Sequence, residues 1–244
     1  MRPGYPRALF DDLAALARIP PGGHIVEIGS GTGQATLPLA RRGDPVWCVE
    51  LGVRLAAVAR RNLAAYPGVA VWVGAFEDWP LEPGAFDLAL SATAFHWINP
   101  AIGYARVARA LKPSGALALI WNVSVQTQAD RGFFDAVREV YRRETPDLAE
   151  KGASPVHPDE APDRTAEIER GGHFGGTVRR RYLWDAGYVA ARYIQLLRTY
   201  SDHISQEPER RERLLAGIAG LIITRFGGRV TKGYLTELYV TYPL

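Results

Sequence analysis

Residues 26–34 read Val26-Glu27-Ile28-Gly29-Ser30-Gly31-Thr32-Gly33-Gln34, and this glycine-rich turn restricts the fold more than any other feature of the chain. It joins a short apolar run to a helix pattern. Glycines at alternate positions let the backbone reverse tightly at a strand end and leave bare peptide for a ligand to approach. Spacing narrows the ligand. A dinucleotide fingerprint needs Gly-x-Gly-x-x-Gly, with a pyrophosphate on the following helix N-terminus. Here Gln34 stands where that third glycine would be. No Gly-Lys-Ser/Thr follows, so a phosphate-cradling P-loop is excluded as well.

The glycine turn lies in a half that alternates strand and helix patterns. Residues 24–28, 45–50, 69–74, 86–91 and 115–122 are short runs rich in Val, Leu, Ile and aromatics, almost continuously apolar. Strands covered on both faces read this way. Between them, 34–42, 52–65 and 100–110 have helical patterning, with Leu51, Leu55, Val58 and Ala59 spaced as one face of the second. Lys112-Pro113-Ser114-Gly115 marks a turn. Alternating strands and helices predict βαβ units on a parallel sheet.

The middle breaks that rhythm. An amphipathic helix over 129–143 places Phe133, Phe134, Val137, Val140 and Tyr141 on one face. A stretch rich in proline and glycine follows, and 124–176 reads as a cap or insertion. Beyond it, 177–184 and 233–242 read as strands, and 186–200 and 207–225 as helices. The predicted domains are an N-terminal helical segment (1–19), a core formed by 20–123 and 177–244, and the cap at 124–176.

The chain's 244 residues suit one large domain carrying an insertion. A 47% hydrophobic and 23% charged composition is globular. Cys48 is the sole cysteine, which excludes a disulfide framework within the chain. Lys112, Lys151 and Lys232 are the only lysines among 29 basic residues, and the net charge is only +3. The runs Arg179-Arg180-Arg181 and Arg210-Arg211 are too short to read as a nucleic-acid tail. The opening Met1-Arg2-Pro3-Gly4 leads into a polar helix pattern, and no window reaches the roughly 18 apolar residues of a membrane span. The expectation is a soluble, cytoplasmic protein. No pair or cluster of His and Cys has metal-ligand spacing, so no metal site is predicted.

Glu50 closes the second strand, 17 residues beyond Gly33. An acidic side chain there is placed to accept hydrogen bonds from both hydroxyls of a ribose. Glu27, just before the glycines, puts negative charge near an ammonium group. A ligand with a ribose, an amino group and no phosphate fits better than NAD, and S-adenosylmethionine has those parts.

With these residues in hand, Glu27-Ile28-Gly29-Ser30-Gly31-Thr32-Gly33 resembles motif I of the class I S-adenosylmethionine-dependent methyltransferases. Further blocks match in order: Glu50, Gly74-Ala75-Phe76-Glu77-Asp78-Trp79-Pro80, Phe86-Asp87-Leu88-Ala89-Leu90-Ser91-Ala92-Thr93 and Leu111-Lys112-Pro113-Ser114-Gly115. The resemblance covers about 22–122 closely and the later strands loosely. It implies a three-layer Rossmann-like α/β fold with a seven-stranded, mostly parallel sheet whose last strand is antiparallel. It implies S-adenosylmethionine as cofactor and S-adenosylhomocysteine as product. The cofactor-binding residues it implies are Tyr5, Glu27, Gly29, Ser30, Gly31, Thr32, Gly33, Glu50, Leu51, Ala75, Phe76, Glu77, Ser91, Ala92 and Thr93. One position departs: many members place an acidic residue directly after the adenine-loop glycine, where this chain has Ala75. Phe76 is then the candidate to pack on adenine, with backbone amides, Glu77 or Asp78 reading its polar edge. Ala94-Phe95-His96-Trp97 and Arg2-Pro3-Gly4-Tyr5-Pro6 further resemble a small-molecule subgroup that includes trans-aconitate-methyltransferase-like proteins.

Methyl transfer from a sulfonium is an in-line displacement, and the protein must align the acceptor and exclude water. A base is needed only for an acceptor that is protonated at the working pH. His96, just past the fourth strand, is the candidate base or substrate contact. The aromatics Trp121, Trp184, Tyr193 and Tyr200 are candidates to line an acceptor pocket, and Arg131 or Arg138 to pair an acceptor carboxylate. The expected partner is a small molecule accepting methyl on oxygen, as carboxylate or hydroxyl, with amine and carbon acceptors open. Two alternatives remain: a nucleic-acid methyltransferase, disfavoured by Ser91-Ala92-Thr93-Ala94 where an Asn/Asp-Pro-Pro-aromatic turn would stand, and a non-catalytic cofactor-binding regulator, disfavoured by the intact glycine loop.

Overall fold

A computed structural model describes residues 3–150 and 155–244. Arg2 of the opening motif, Lys151 and part of the predicted cap therefore lie outside the described residues. The strands are β1 (Ile25–Ile28), β2 (Val46–Glu50), β3 (Val69–Val73), β4 (Phe86–Ala92), β5 (Leu111–Val125), β6 (Phe174–Val189) and β7 (Arg229–Pro243). The helices are α1 (Arg7–Leu16), α2 (Thr36–Arg41), α3 (Val53–Asn62), α4 (Pro100–Ala110), α5 (Phe133–Glu144), α6 (Pro146–Glu150), α7 (Thr165–Glu169), α8 (Ala190–Leu197), α9 (Ser201–Ile204) and α10 (Pro208–Arg225). The seven strands form one sheet in the order β3-β2-β1-β4-β5-β7-β6, mostly parallel with the last strand antiparallel. This is the Rossmann-like arrangement expected from the sequence.

The chain divides into two compact units. One comprises Gly4–Asn122, Pro162–Tyr182 and Thr236–Leu244. Its inner strands are buried almost without interruption, as at β1 and β4. That explains why their sequences carry no polar alternation. One face of the sheet packs Leu9 and Leu13 of α1 together with Leu39, Ala59, Leu88 and Leu90. The other gathers Ile28, Phe76, Trp79, Phe86 and Tyr104. Asn99 starts α4 by accepting the Ala101 N–H at 3.0 Å, with Pro100 in the first turn. Between β4 and β5 the register slips after Phe86–Leu111 and resumes at Leu88–Ala116, which accommodates the Lys112-Pro113-Ser114-Gly115 turn.

The other described unit contains Val123–Ala161 and Leu183–Leu235. It is larger than the 124–176 insertion expected, and 162–176 does not belong to it. The reason is apolar: Phe133, Val137 and Tyr141 of α5, Tyr193 and Leu197 of α8, and Leu214, Ile218 and Ile222 of α10 bury one another in a single cluster. The helices at 190–225 thus have their apolar faces committed to this unit.

The apolar face assigned to 52–65 is also corrected. Leu51 and Leu55 are exposed and Val58 is only half-buried; Ala59 is buried as expected, joined by Ala56 and, just past the helix end, Leu63. Those residues keep helical spacing, one position out of phase with the larger side chains.

Candidate functional site

All the sequence-predicted cofactor residues belong to the Gly4–Asn122 segment of the first unit. The loop after β1 turns through Gly29, Gly31 and Gly33, whose φ angles are +71°, +58° and +83°. That left-handed region is open to glycine and costly for other residues. A Cβ on Gly29 would come within 2.4 Å of the Ala94 Cβ, whereas one on Gly31 would meet nothing within 4 Å. Gly29 is therefore required by packing, and Gly31 presents bare backbone to open space.

Glu50, at the tip of β2, is almost fully buried. Its Oε2 accepts the Gly31 N–H at 2.7 Å and its Oε1 accepts the Gly52 N–H at 2.7 Å. A carboxylate has about four lone-pair directions, so each oxygen retains acceptor capacity for a further donor. Leu51 and Val53 beside it are 71% and 70% exposed, and Leu55 is exposed too. Leu51, expected from the sequence at the cofactor site, thus borders Glu50 as part of an exposed apolar patch with Val53 and Leu55.

Glu27 lies below the loop, 1% exposed, and the Thr36 hydroxyl donates to its Oε2 at 2.5 Å. Burial raises its carboxyl to about 8; the Thr36 hydrogen bond opposes the rise and the nearby Glu50 charge adds to it. Near neutral pH this carboxyl is therefore largely protonated, unlike the fixed negative charge expected from its sequence position. Cys48 is buried beside Thr36, and desolvation pushes its thiol up to about 12.

At the end of β4 the Ser91 hydroxyl donates to the Ile28 carbonyl at 2.8 Å, binding the ends of β4 and β1 together. Thr93 has φ +56°, and its backbone N–H donates to the Ile120 carbonyl at 2.7 Å. Its buried hydroxyl oxygen has no hydrogen-bond partner among the described residues. A strained residue with an orphaned hydroxyl is the kind of feature that collects at ligand sites. In the third loop the Gly74 N–H donates to the Glu50 carbonyl. Ala75 and Glu77 are half-buried there. Phe76 is buried, stacked on Trp79 at 6.2 Å with the Arg106 guanidinium over its ring. Its ring thus belongs to the core. Trp72 lies so close to Gly74 that a Cβ there would fall 2.3 Å from the indole.

His96 is exposed in the single turn Phe95–Trp97, whose Phe95 is buried; its ring lies 5.2 Å from that of Trp97, itself 77% exposed. Tyr5 is half-buried and sets its ring edge-on to Phe10 at 6.3 Å. Trp121 and Tyr193 are buried in the cores of their respective units. Arg138 pairs with Asp135 at 3.8 Å.

The family described as "Methyltransferase domain" matches residues 26–119, the stretch that contains the loop, Glu50 and Thr93. Residues 26–119 of this chain are thus similar to a methyltransferase domain. An uncharacterized methyltransferase of Mycobacterium tuberculosis is 38% identical over 122 residues, covering 50% of this chain and 47% of that protein. A malonyl-[acyl-carrier protein] O-methyltransferase of Geobacter sulfurreducens is 35% identical over 97 residues, 38% of this chain and 36% of that protein. The methyltransferase matches thus span about half, or less, of the length of these curated relatives. Among solved structures, a candidate type II methyltransferase of Anaeromyxobacter dehalogenans aligns with a TM-score of 0.65 at 24% identity, over 98% of this chain and 97% of that one. These structural likenesses show the fold. Among the described residues no helix is long and apolar enough to cross a membrane.

Proposed function

We propose that this chain is a methyltransferase that binds S-adenosylmethionine at the loop after β1 and transfers its methyl group to a small-molecule oxygen acceptor. The relation between Gly31 and Glu50 carries the cofactor reading. Gly31 is the loop glycine with no protein atom near its missing Cβ, and its N–H is held by the carboxylate whose remaining acceptor capacity suits ribose hydroxyls. The site fits the cofactor in three further respects. Leu51 offers an exposed apolar surface next to Glu50, suited to an adenine face. The orphaned Thr93 hydroxyl supplies a polar group without a protein partner. Glu27 becomes a counter-ion once a cation favours its ionised form.

When bound, the cofactor supplies the electrophilic methyl carbon and a neutral thioether leaving group. The residues of this chain bind and orient. Ser30, Thr32 and Gly33 shape the loop, Ala75 and Glu77 border the third-strand side, and Ser91, Ala92 and Thr93 close the fourth-strand side. Tyr5 anchors the entry to α1. His96 takes the acceptor proton when the acceptor is a hydroxyl, and a carboxylate acceptor needs no base.

The test is calorimetric titration with S-adenosylhomocysteine, followed by a radiolabelled methyl-transfer screen over carboxylates, phenols, amines and tRNA. The expected outcome is saturable binding and transfer to a carboxylate or phenol. Absence of heat at millimolar ligand overturns the cofactor reading. Transfer to tRNA alone overturns the acceptor class and leaves the cofactor reading standing.

A further inference from the structure

Lys232, in β7, is buried within the Val123–Ala161/Leu183–Leu235 unit, where the cofactor residues do not lie. Its Nζ donates to the Tyr200 hydroxyl at 3.1 Å, and lies 5.1 Å from the Tyr200 ring centre and 5.5 Å from that of Tyr234. Tyr234 stacks on Trp184 at 4.9 Å and shares a 3.1 Å hydrogen bond with Tyr188. Beside this group, Asp202 is bonded to His203 Nδ1 at 2.8 Å, and His203 Nε2 to the Tyr141 hydroxyl at 2.8 Å.

The arrangement leaves a buried charge without a counter-charge in direct contact, Asp202 acting on it only from a distance. Among the described residues Lys232 makes no ion pair within 4.0 Å, and the neighbouring carboxylate, Asp202, is engaged by His203. An ammonium has three donors, and a single hydrogen bond uses one. Two aromatic faces stabilise a desolvated cation, but by less than burying an ion costs. Buried charges in folded proteins are ordinarily paired. The aromatic surround is open at its edges, since Trp184, Tyr188 and Tyr200 are only half-buried.

We propose that Lys232 is the anchor of a site for a small organic carboxylate, bordered by Trp184, Tyr200 and Tyr234 within this unit. The carboxylate supplies the missing counter-charge, and the free ammonium hydrogens donate to its oxygens. The ring faces cover the apolar body of the ligand. As a carboxylate site it stands on the unit's own geometry.

The experiment titrates benzoate, succinate and inorganic phosphate into the full chain by calorimetry, on wild type, Lys232→Met and Lys232→Arg. S-adenosylhomocysteine is titrated separately into each. The expected result is saturable binding of benzoate or succinate to wild type, weakened at least about tenfold in Lys232→Met and partly retained in Lys232→Arg. Binding of S-adenosylhomocysteine stays the same across the three proteins, which shows the variants are folded. Equal carboxylate affinity in Lys232→Met, absence of saturable carboxylate binding to wild type, or binding of phosphate alone overturns the proposal. Failure of S-adenosylhomocysteine to bind wild type overturns the cofactor reading instead and leaves the carboxylate site standing.

Discussion

The backbone N–H of Gly31 donates to the Glu50 carboxylate at 2.7 Å, so the turn after β1 and the tip of β2 are fixed to one another through a single acidic side chain. The same side chain takes the Gly52 N–H. Glu50 thus shapes the loop as well as offering acceptors to a ribose. Glu50→Ala removes both functions. It should weaken S-adenosylhomocysteine binding by roughly 1.5–3 kcal/mol, the range for hydrogen bonds to charged groups. Titration calorimetry measures this directly, and an unchanged affinity removes Glu50 from the site.

Two glycines of one loop should fail differently. In Gly29→Ala the new methyl meets Ala94 at 2.4 Å on a backbone with φ +71°. Steric overlap then adds to the roughly 1–2 kcal/mol of left-handed strain, and the melting temperature should drop markedly. In Gly31→Ala only the strain applies, because the methyl points into open space. That variant should fold with a modest loss of stability and bind S-adenosylhomocysteine poorly. Parallel melts and titrations separate the two, and full affinity in Gly31→Ala places the ligand elsewhere.

The presence of the first five strands was legible in the sequence because strands buried on both faces leave uninterrupted apolar runs, and β1 and β4 are buried along almost their whole length. The loop glycines and Glu50 were legible for a related reason: their spacing encodes a backbone conformation. Three things were hidden. The face of α3 was misread because the buried residues are the small Ala56 and Ala59, while the larger Leu55 is exposed. The boundary of the second unit was hidden because the apolar stripes of α8 and α10 look alike whether they pack on a sheet or on α5. The charge state of Glu27 depends on complete burial and on Thr36, nine residues away in sequence.

That charge state has a testable sign. Glu27 titrates near 4.5 when exposed and near 8 in the folded protein. Between those values the folded state holds a proton that the unfolded state has lost. The contribution of this group to stability is therefore greatest below about pH 4.5, falls as pH rises towards 8, and levels off above it. Glu27→Gln should flatten this part of the pH–stability curve, measured by denaturant unfolding against wild type. Binding of S-adenosylmethionine, with its sulfonium and ammonium charges, should pull the carboxyl back towards ionisation and release a proton near neutral pH. Calorimetry in buffers of different ionisation enthalpy counts that proton. Proton uptake, or no proton exchange in wild type, contradicts Glu27 as the counter-ion.

His96 is exposed in the short turn beyond β4, at a strand-end edge where open parallel sheets bind ligands. Its side chain is separate from the Gly31–Glu50 contact, so its removal should leave S-adenosylhomocysteine affinity unchanged. What should change is transfer to an acceptor whose proton must leave. For a phenol or alcohol acceptor, His96→Ala should lower kcat by about 10²–10⁴, the usual contribution of a positioned acid–base group. For a carboxylate acceptor, already ionised near neutral pH, the same variant should transfer methyl at nearly the wild-type kcat. Comparing the two acceptor classes in one variant separates a base from a residue that merely shapes the loop, because damage to the loop would slow both. Equal slowing for both classes, or full activity on a phenol, removes His96 as the base and leaves the cofactor site intact.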